Sequence, residues 1–301
     1  PGLFSDHAVL QQGRPIPVWG WADPGEKVTV SLGGKTVSAV AADGRWRVHL
    51  PARKAGGPYT LVVQGRNRLE ITNVLLGEVW IASGQSNMEW PLSASFEPAA
   101  HMAAATNAEI RLFTVPKLKA QEPQTNIASS WKECTPETAR SFSAVAYFFG
   151  RDLHRARKVP IGLIHTSWGG SPAEVWVRHE VLSRHPRLRA EILDTYPARA
   201  RQFQEEVAKW EQETEALKRQ GREQKRGRPW WDWPPSSLYN GMIAPLVPYA
   251  IAGAIWYQGE SNADRADQYR TLFPNLIQNW RDDWQQGDFP FLAVQLAPWD
   301  K

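Results

Sequence analysis

The sequence predicts an α/β protein: a doubly wound, largely parallel sheet between helices, with a small antiparallel β unit before it and a helical insertion within it. Three observations predict this. Residues 1–75 carry period-2 runs parted by Gly and Asp-Gly turns, the pattern of a small sandwich. From about residue 76 short apolar runs alternate with helical stretches, which argues for strands covered on both faces. Three of those runs end in a polar, glycine-containing turn, and in such folds the carboxyl ends of strands gather the ligand site.

The β unit reads strand by strand. Residues 15–21 are a short apolar run with edge-type prolines, and residues 27–32 alternate polar with apolar before the turn Gly33-Gly34. Residues 35–40 resume the pattern, and Ala42-Asp43-Gly44 turns the chain into residues 45–50. There Trp46, Val48 and Leu50 fall on one face and Arg45, Arg47 and His49 on the other, so His49 is expected on the surface. Residues 59–63 make a further strand.

In the second part, Val79-Trp80-Ile81-Ala82, the run 159–164, the run 252–257 and the run 289–296 read as strands of the parallel sheet. Residues 142–157 and 268–284 read as helices. Two domains follow, 1–75 and 76–301, with a helical insertion over about 179–232. The insertion is rich in Glu, Lys, Arg, Gln and Ala, and Phe203, Val207, Trp210 and Leu217 share one helical face at spacings that suit a surface hairpin. The aromatic knot 229–234 that follows reads equally as a sugar-stacking rim or as packing.

Composition narrows the function. Hydrophobic residues make up 42% and charged residues 22% of 301, ordinary for a folded protein, so disorder is excluded as the main state. The 35 Lys and Arg exceed the 31 Asp and Glu by 4, and much of the excess sits in residues 218–228. Such a run reads as a solvated face. Without finger spacing or an RNP-like strand, no nucleic acid is expected as a partner. The single cysteine, Cys134, rules out an intrachain disulfide and a cysteine-rich metal site, and it reads as a small buried residue. No stretch has the apolar length that a bilayer demands, so no membrane partner is expected. The chain starts at Pro1 rather than Met, so a missing leader has no weight. Sixteen Trp hint at sugar stacking, although any one of them is more simply core.

The turn Gly84-Gln85-Ser86-Asn87 follows the first apolar run. A serine just past a strand and beside a glycine can present its hydroxyl where backbone N–H groups converge, the arrangement that an acyl-transfer nucleophile uses. The same serine can equally be a helix cap. The segment is not the G-x-S-x-G elbow.

Three segments taken together are specific: Gly84-Gln85-Ser86-Asn87-Met88-Glu89-Trp90, Thr166-Ser167-Trp168-Gly169-Gly170-Ser171-Pro172 and Trp256-Tyr257-Gln258-Gly259-Glu260-Ser261-Asn262. They resemble the sialate O-acetylesterase family of the SGNH hydrolases, as do residues 3–13, 142–149 and 238–245, in order along nearly the whole chain. The resemblance implies an SGNH-type, flavodoxin-like three-layer fold and a serine esterase that removes O-acetyl groups from sialic acid or related glycans. It implies Ser86 as nucleophile. The oxyanion donors would be the Ser86 N–H, an N–H of Gly169 or Gly170, and the side chain of Gln258 or, secondarily, Asn262. Gln85, Asn87, Trp168 and Glu260 are candidates for substrate contact, and Glu260 reads first as satisfying backbone donors of its own turn. The substrate is an acetylated carbohydrate, no cofactor or metal is implied, and a periplasmic, secreted or lysosome-like setting is expected.

Serine catalysis needs a base, normally His oriented by a carboxylate, which this family carries in an Asp-x-x-His-Pro-like segment. No His follows Asn262, so the catalytic His and Asp are expected beyond Lys301, in an omitted part of the chain or on a second polypeptide. His165 reads as a core or pocket-wall histidine; as a replacement base it would be novel. Two alternatives stand beside the esterase: a non-catalytic carbohydrate-binding protein on the same scaffold, and an interaction module that uses the charged insertion.

Overall fold

The computed structural model describes residues 1–230 and 232–297. The first strands are β1 (Val9–Gln11), β2 (Ile16–Trp21), β3 (Lys27–Leu32), β4 (Lys35–Val40), β5 (Arg45–Leu50) and β6 (Gly56–Gln64). β7 (Arg68–Gly84) is 17 residues long and serves two sheets. Its first half continues the antiparallel order β4-β3-β6-β7, faced by the separate pair β2-β5. The alternation in β5 is strict: Trp46, Val48 and Leu50 are buried, while Arg45, Arg47 and His49 are exposed. Val18 lies opposite Val48 and Ile16 opposite Leu50, so the apolar faces of this pair coincide and pack on the core.

The second half of β7 enters the parallel sheet. The remaining strands are β8 (Asn107–Thr114), β9 (Lys132–Cys134), β10 (Ile161–Ser167), β11 (Gly253–Tyr257) and β12 (Phe291–Ala293). The order is β12-β11-β7-β10-β8, all parallel, with β9 antiparallel on the β8 edge. The last strand is shorter than the apolar run 289–296 suggests, and among the described residues it pairs with β11 alone.

Both faces are covered, which is why these strands read as nearly continuous apolar runs. Val79 and Ile81 of β7 join one core cluster with Leu272, Leu276 and Trp280 of the helix Ala266–Trp284. Trp80 and Ala82 point the other way, into a cluster with Tyr147 of the helix Ala144–Arg157. Ser143 caps that helix by accepting from the Ala146 N–H at 3.1 Å. A Cβ on Gly150 would stand 2.6 Å from Leu163, so glycine lets this helix sit directly on β10.

The family-like segment near the N-terminus ties the two halves together. Gln11 Oε1 accepts from the Val79 N–H at 2.8 Å, and the Tyr249 hydroxyl donates to the Val9 carbonyl at 2.7 Å. Residues 179–232 contain a 24-residue helix, Tyr196–Arg219, that buries none of its side chains fully, and the described residues from 220 to 234 return along it without helix instead of forming a helical hairpin. Phe203, Val207, Trp210 and Leu217 are half-buried on one face. The basic run folds back on this helix: Arg226 pairs with Glu213, Arg228 with Glu211 and Lys218 with Glu215. Those charges are answered by their own helix, as a solvated face requires. Cys134 is buried, and burial pushes its thiol up to about 11. No described helix is long and apolar enough to cross a membrane.

Candidate active site

β7, β10 and β11 are neighbours, so the three glycine-containing turns leave the same edge side by side. Hydrogen bonds lock them together. The Trp168 N–H donates to the Gly84 carbonyl at 3.1 Å and the Gln85 N–H to the Tyr257 carbonyl at 2.9 Å. Gly84 has φ +139°, and a Cβ there would meet the Tyr257 carbonyl oxygen at 2.1 Å. Only glycine lets the two strand ends approach this closely.

Ser86 opens a single helical turn, Ser86–Glu89, and is exposed. It lines an open cleft of about 610 Å3 with Glu89, Trp90, Lys117, His165 and Ser167. Its neighbour Gln85 is turned inward and buried. The Gln85 Oε1 accepts from the N–H groups of Gly259 and Ser261, both at 3.3 Å. The role expected for Glu260, satisfying its own turn, is therefore filled by Gln85. Glu260 is exposed and accepts from Asn87 Nδ2 at 2.5 Å, which joins the first turn to the third.

The two glycines after Trp168 face different ways. A Cβ on Gly169 would lie 3.4 Å from Ser86 Cβ and 3.2 Å from Glu89 Oε2. The Gly169 N–H donates to Glu89 Oε2 at 2.6 Å. Gly170, at φ +77°, faces the ring of Trp230 and lines a second cleft of about 550 Å3 with Tyr196, Phe203, Trp233 and Glu260. Trp168 is half-buried, meets Trp233 edge-on at 5.6 Å and has Lys119 Nζ 5.5 Å from its ring. Trp233 therefore packs, while Trp230 is exposed and Trp231 lies outside the described residues.

Gln258 and Asn262 are buried behind this edge. Gln258 Nε2 donates to Asn262 Oδ1 at 2.7 Å and to the Ser171 carbonyl at 3.2 Å. Asn262 Oδ1 also accepts from the Ala173 N–H, and its Nδ2 donates to Glu174 Oε2, both at 2.9 Å. Both Gln258 amide hydrogens are thus engaged, and neither residue lines the Ser86 cleft. Gln258 Oε1 is buried without a hydrogen-bond partner among the described residues.

Sequence reasoning missed Glu174 and Glu89. Glu174 is almost fully buried and paired with Arg265 at 2.7 Å. Its signal was an acid inside the apolar stretch 173–177, which demands a partner. Glu89 follows Ser86 by three residues, a helical spacing that places both on one side, and it also pairs with Lys117.

His165 lines the Ser86 cleft but is buried, and its Nε2 lies 2.6 Å from Ser167 Oγ. Burial pushes its pKa down to about 4, with nearby Glu89 opposing and Lys117 adding to the shift. It is a pocket-wall histidine, neutral at pH 7. Among the described residues no group of three or more His, Cys, Asp or Glu is placed to hold a metal ion.

A parallel sheet that brings Gly-Gln-Ser-Asn, Trp-Gly-Gly and Gln-Gly-Glu-Ser-Asn turns to one edge is an SGNH-type scaffold. The comparisons with known proteins agree. A family model described as carbohydrate esterase, sialic acid-specific acetylesterase, matches residues 223–301. The sialate O-acetylesterases of Mus musculus and Homo sapiens are 32% and 30% identical to 98% of this chain. A carbohydrate acetylesterase from Xanthomonas citri superimposes over 98% of the chain with a TM-score of 0.80 and 38% identity. Over 98% of its length the chain is similar to these sialate O-acetylesterases. It spans 59% of the mouse protein and of the X. citri chain, and 56% of the human protein.

Proposed function

We propose that this protein is a carboxylic ester hydrolase that removes O-acetyl groups from sialic acid or related acetylated glycans through an acyl-enzyme on Ser86. The observation that carries the reading is the position of Ser86: exposed in a cleft, at the carboxyl edge of the sheet, with the Gly169 backbone against it. Attack of the Ser86 hydroxyl oxygen on the acetyl carbonyl forms the tetrahedral oxyanion. Collapse expels the sugar alcohol, and water then releases acetate.

We assign the N–H groups of Ser86 and Gly169 as oxyanion donors, because Gly170 faces the other cleft. Gln258, and Asn262 behind it, would act as a third donor only after the Gln258 amide leaves Ser171. Their present bonds support a positioning role, holding the third turn against the second. Trp90, Trp168, Asn87 and Glu260 are the proposed sugar contacts.

The base that removes the Ser86 proton is proposed to come from outside residues 1–301, in the same or a second polypeptide, since His165 is buried and engaged with Ser167. The proposed setting is periplasmic, secreted or lysosome-like, where acetylated glycans are met. Ser86→Ala in the full-length protein is expected to lower acetate release at least about a thousandfold with an unchanged unfolding midpoint. Wild-type release by a folded Ser86→Ala protein would overturn the assignment.

A further inference from the structure

The Gly169 N–H, the donor assigned above, is already occupied. Glu89 Oε2 accepts from it at 2.6 Å, and the other oxygen, Oε1, is held by the Lys117 ammonium. Glu89 shares its helical turn with Ser86, and both line the same cleft as Lys117. Gly169 touches both: the space that a Cβ there would fill lies 3.2 Å from Glu89 Oε2 and 3.4 Å from Ser86 Cβ.

A glutamate carboxylate has the shape and charge of acetate, the product of the proposed reaction. It also carries the charge that the tetrahedral oxyanion would bring. A backbone N–H has one hydrogen to give, and charge-assisted bonds to it are the strong ones. Two anions at one donor compete for it and repel each other. The Glu89 side chain is one-third exposed and the Lys117 side chain more so, so the pair has room to withdraw toward solvent together.

We propose that Glu89, held by Lys117, is a built-in plug of the oxyanion site: an intramolecular acetate mimic that occupies the Gly169 N–H until an acyl substrate displaces it. The inference rests on the reading of Gly169 as an oxyanion donor. Two consequences follow. Free acetate and other small carboxylates bind weakly, because they must first displace a carboxylate tethered three residues from the nucleophile. Lys117 gives the displaced carboxylate a partner, so withdrawal leaves no unpaired charge.

The test follows the Gly169 amide by NMR in full-length protein labelled with 15N-glycine, during titration with sodium acetate. In the wild-type protein the amide proton is expected downfield, bonded to a carboxylate, and insensitive to millimolar acetate. In Glu89→Ala it is expected to move upfield and then to return downfield as acetate is added, with an affinity at least about tenfold tighter than wild type, which corresponds to about 1.4 kcal/mol. Glu89→Gln keeps the shape without the charge and is expected to fall between the two. It also serves if the alanine variant unfolds. An amide that responds to acetate at the same concentration in the wild-type protein and in both folded variants would overturn the plug. The measurement does not depend on Ser86 acting as nucleophile. Failure of the esterase reading would appear separately, as acetate release unaffected by Ser86→Ala.

Discussion

The β-sandwich and the carboxyl edge of the parallel sheet share one strand, β7, and are built on opposite principles. In the sandwich the polar and apolar positions separate cleanly: β5 buries Trp46, Val48 and Leu50 and exposes the three residues between them. At the sheet edge the polar groups are inside. Gln85, His165, Ser167, Glu174, Gln258 and Asn262 are all buried within a few residues of the three turns. A buried polar group costs free energy unless it is bonded; Gln85, Glu174, Gln258 and Asn262 bond to groups from another turn, and His165 and Ser167 bond to each other. The sandwich is held by apolar area, whereas the edge is held by a network that fixes where Ser86 and Gly169 stand.

The largest stability effect at the edge is expected at the network's centre. Asn262→Ala would strand the Ala173 N–H, a Gln258 hydrogen and Glu174 Oε2, leaving Arg265 on Oε1. A loss of about 3–4 kcal/mol is expected, together with lower acetate release, read by urea unfolding and by assay of the folded fraction. Leu50→Ala, in the sandwich, removes apolar volume only. About 3 kcal/mol is expected, with kcat/KM of the folded protein unchanged. A fall in kcat/KM there would show that the sandwich shapes the site.

The smallest effect sharpens the contrast through pH. His165 has its pKa lowered by burial from 6.5 to about 4, so between those values the unfolded chain takes a proton that the folded chain refuses. Its contribution is present above pH 6.5 and lost as pH falls toward 4. His165→Gln should therefore lose about 2 kcal/mol less than wild type between pH 7 and pH 4.5.

Much of this was legible in the sequence. The period-2 runs located β3, β4 and β5 at 27–32, 35–40 and 45–50, because one face of each is more covered than the other, fully in β5 and only by half in β4, which leaves an alternating signature. The helices around Leu272-x-x-x-Leu276-x-x-x-Trp280 and after Ser143 were legible for the same reason at the helical period. The three turns announced themselves because glycine beside polar residues at a strand end has few other uses. Less legible were the partners. Glu260 was read as serving its own turn, yet Gln85 does so from 174 residues away, and a hydrogen bond across that separation has no local trace. Glu89 was visible as part of a motif, but its bond to Gly169 depends on how β7 and β10 lie side by side.

The sequence by itself determined which segments are strand and helix, that three glycine turns end three buried strands, and that Ser86 sits at the first of them. Those are consequences of local periodicity and backbone freedom. Only the tertiary structure decided that Gly169 rather than Gly170 stands against Ser86, that Glu89 lies on its N–H, that Gln258 is turned toward Ser171, and that Lys218, Arg226 and Arg228 of the basic run pair with glutamates of the long helix. Each of these is a choice of partner, and partners are set by the order β12-β11-β7-β10-β8, which brings distant turns within hydrogen-bond reach.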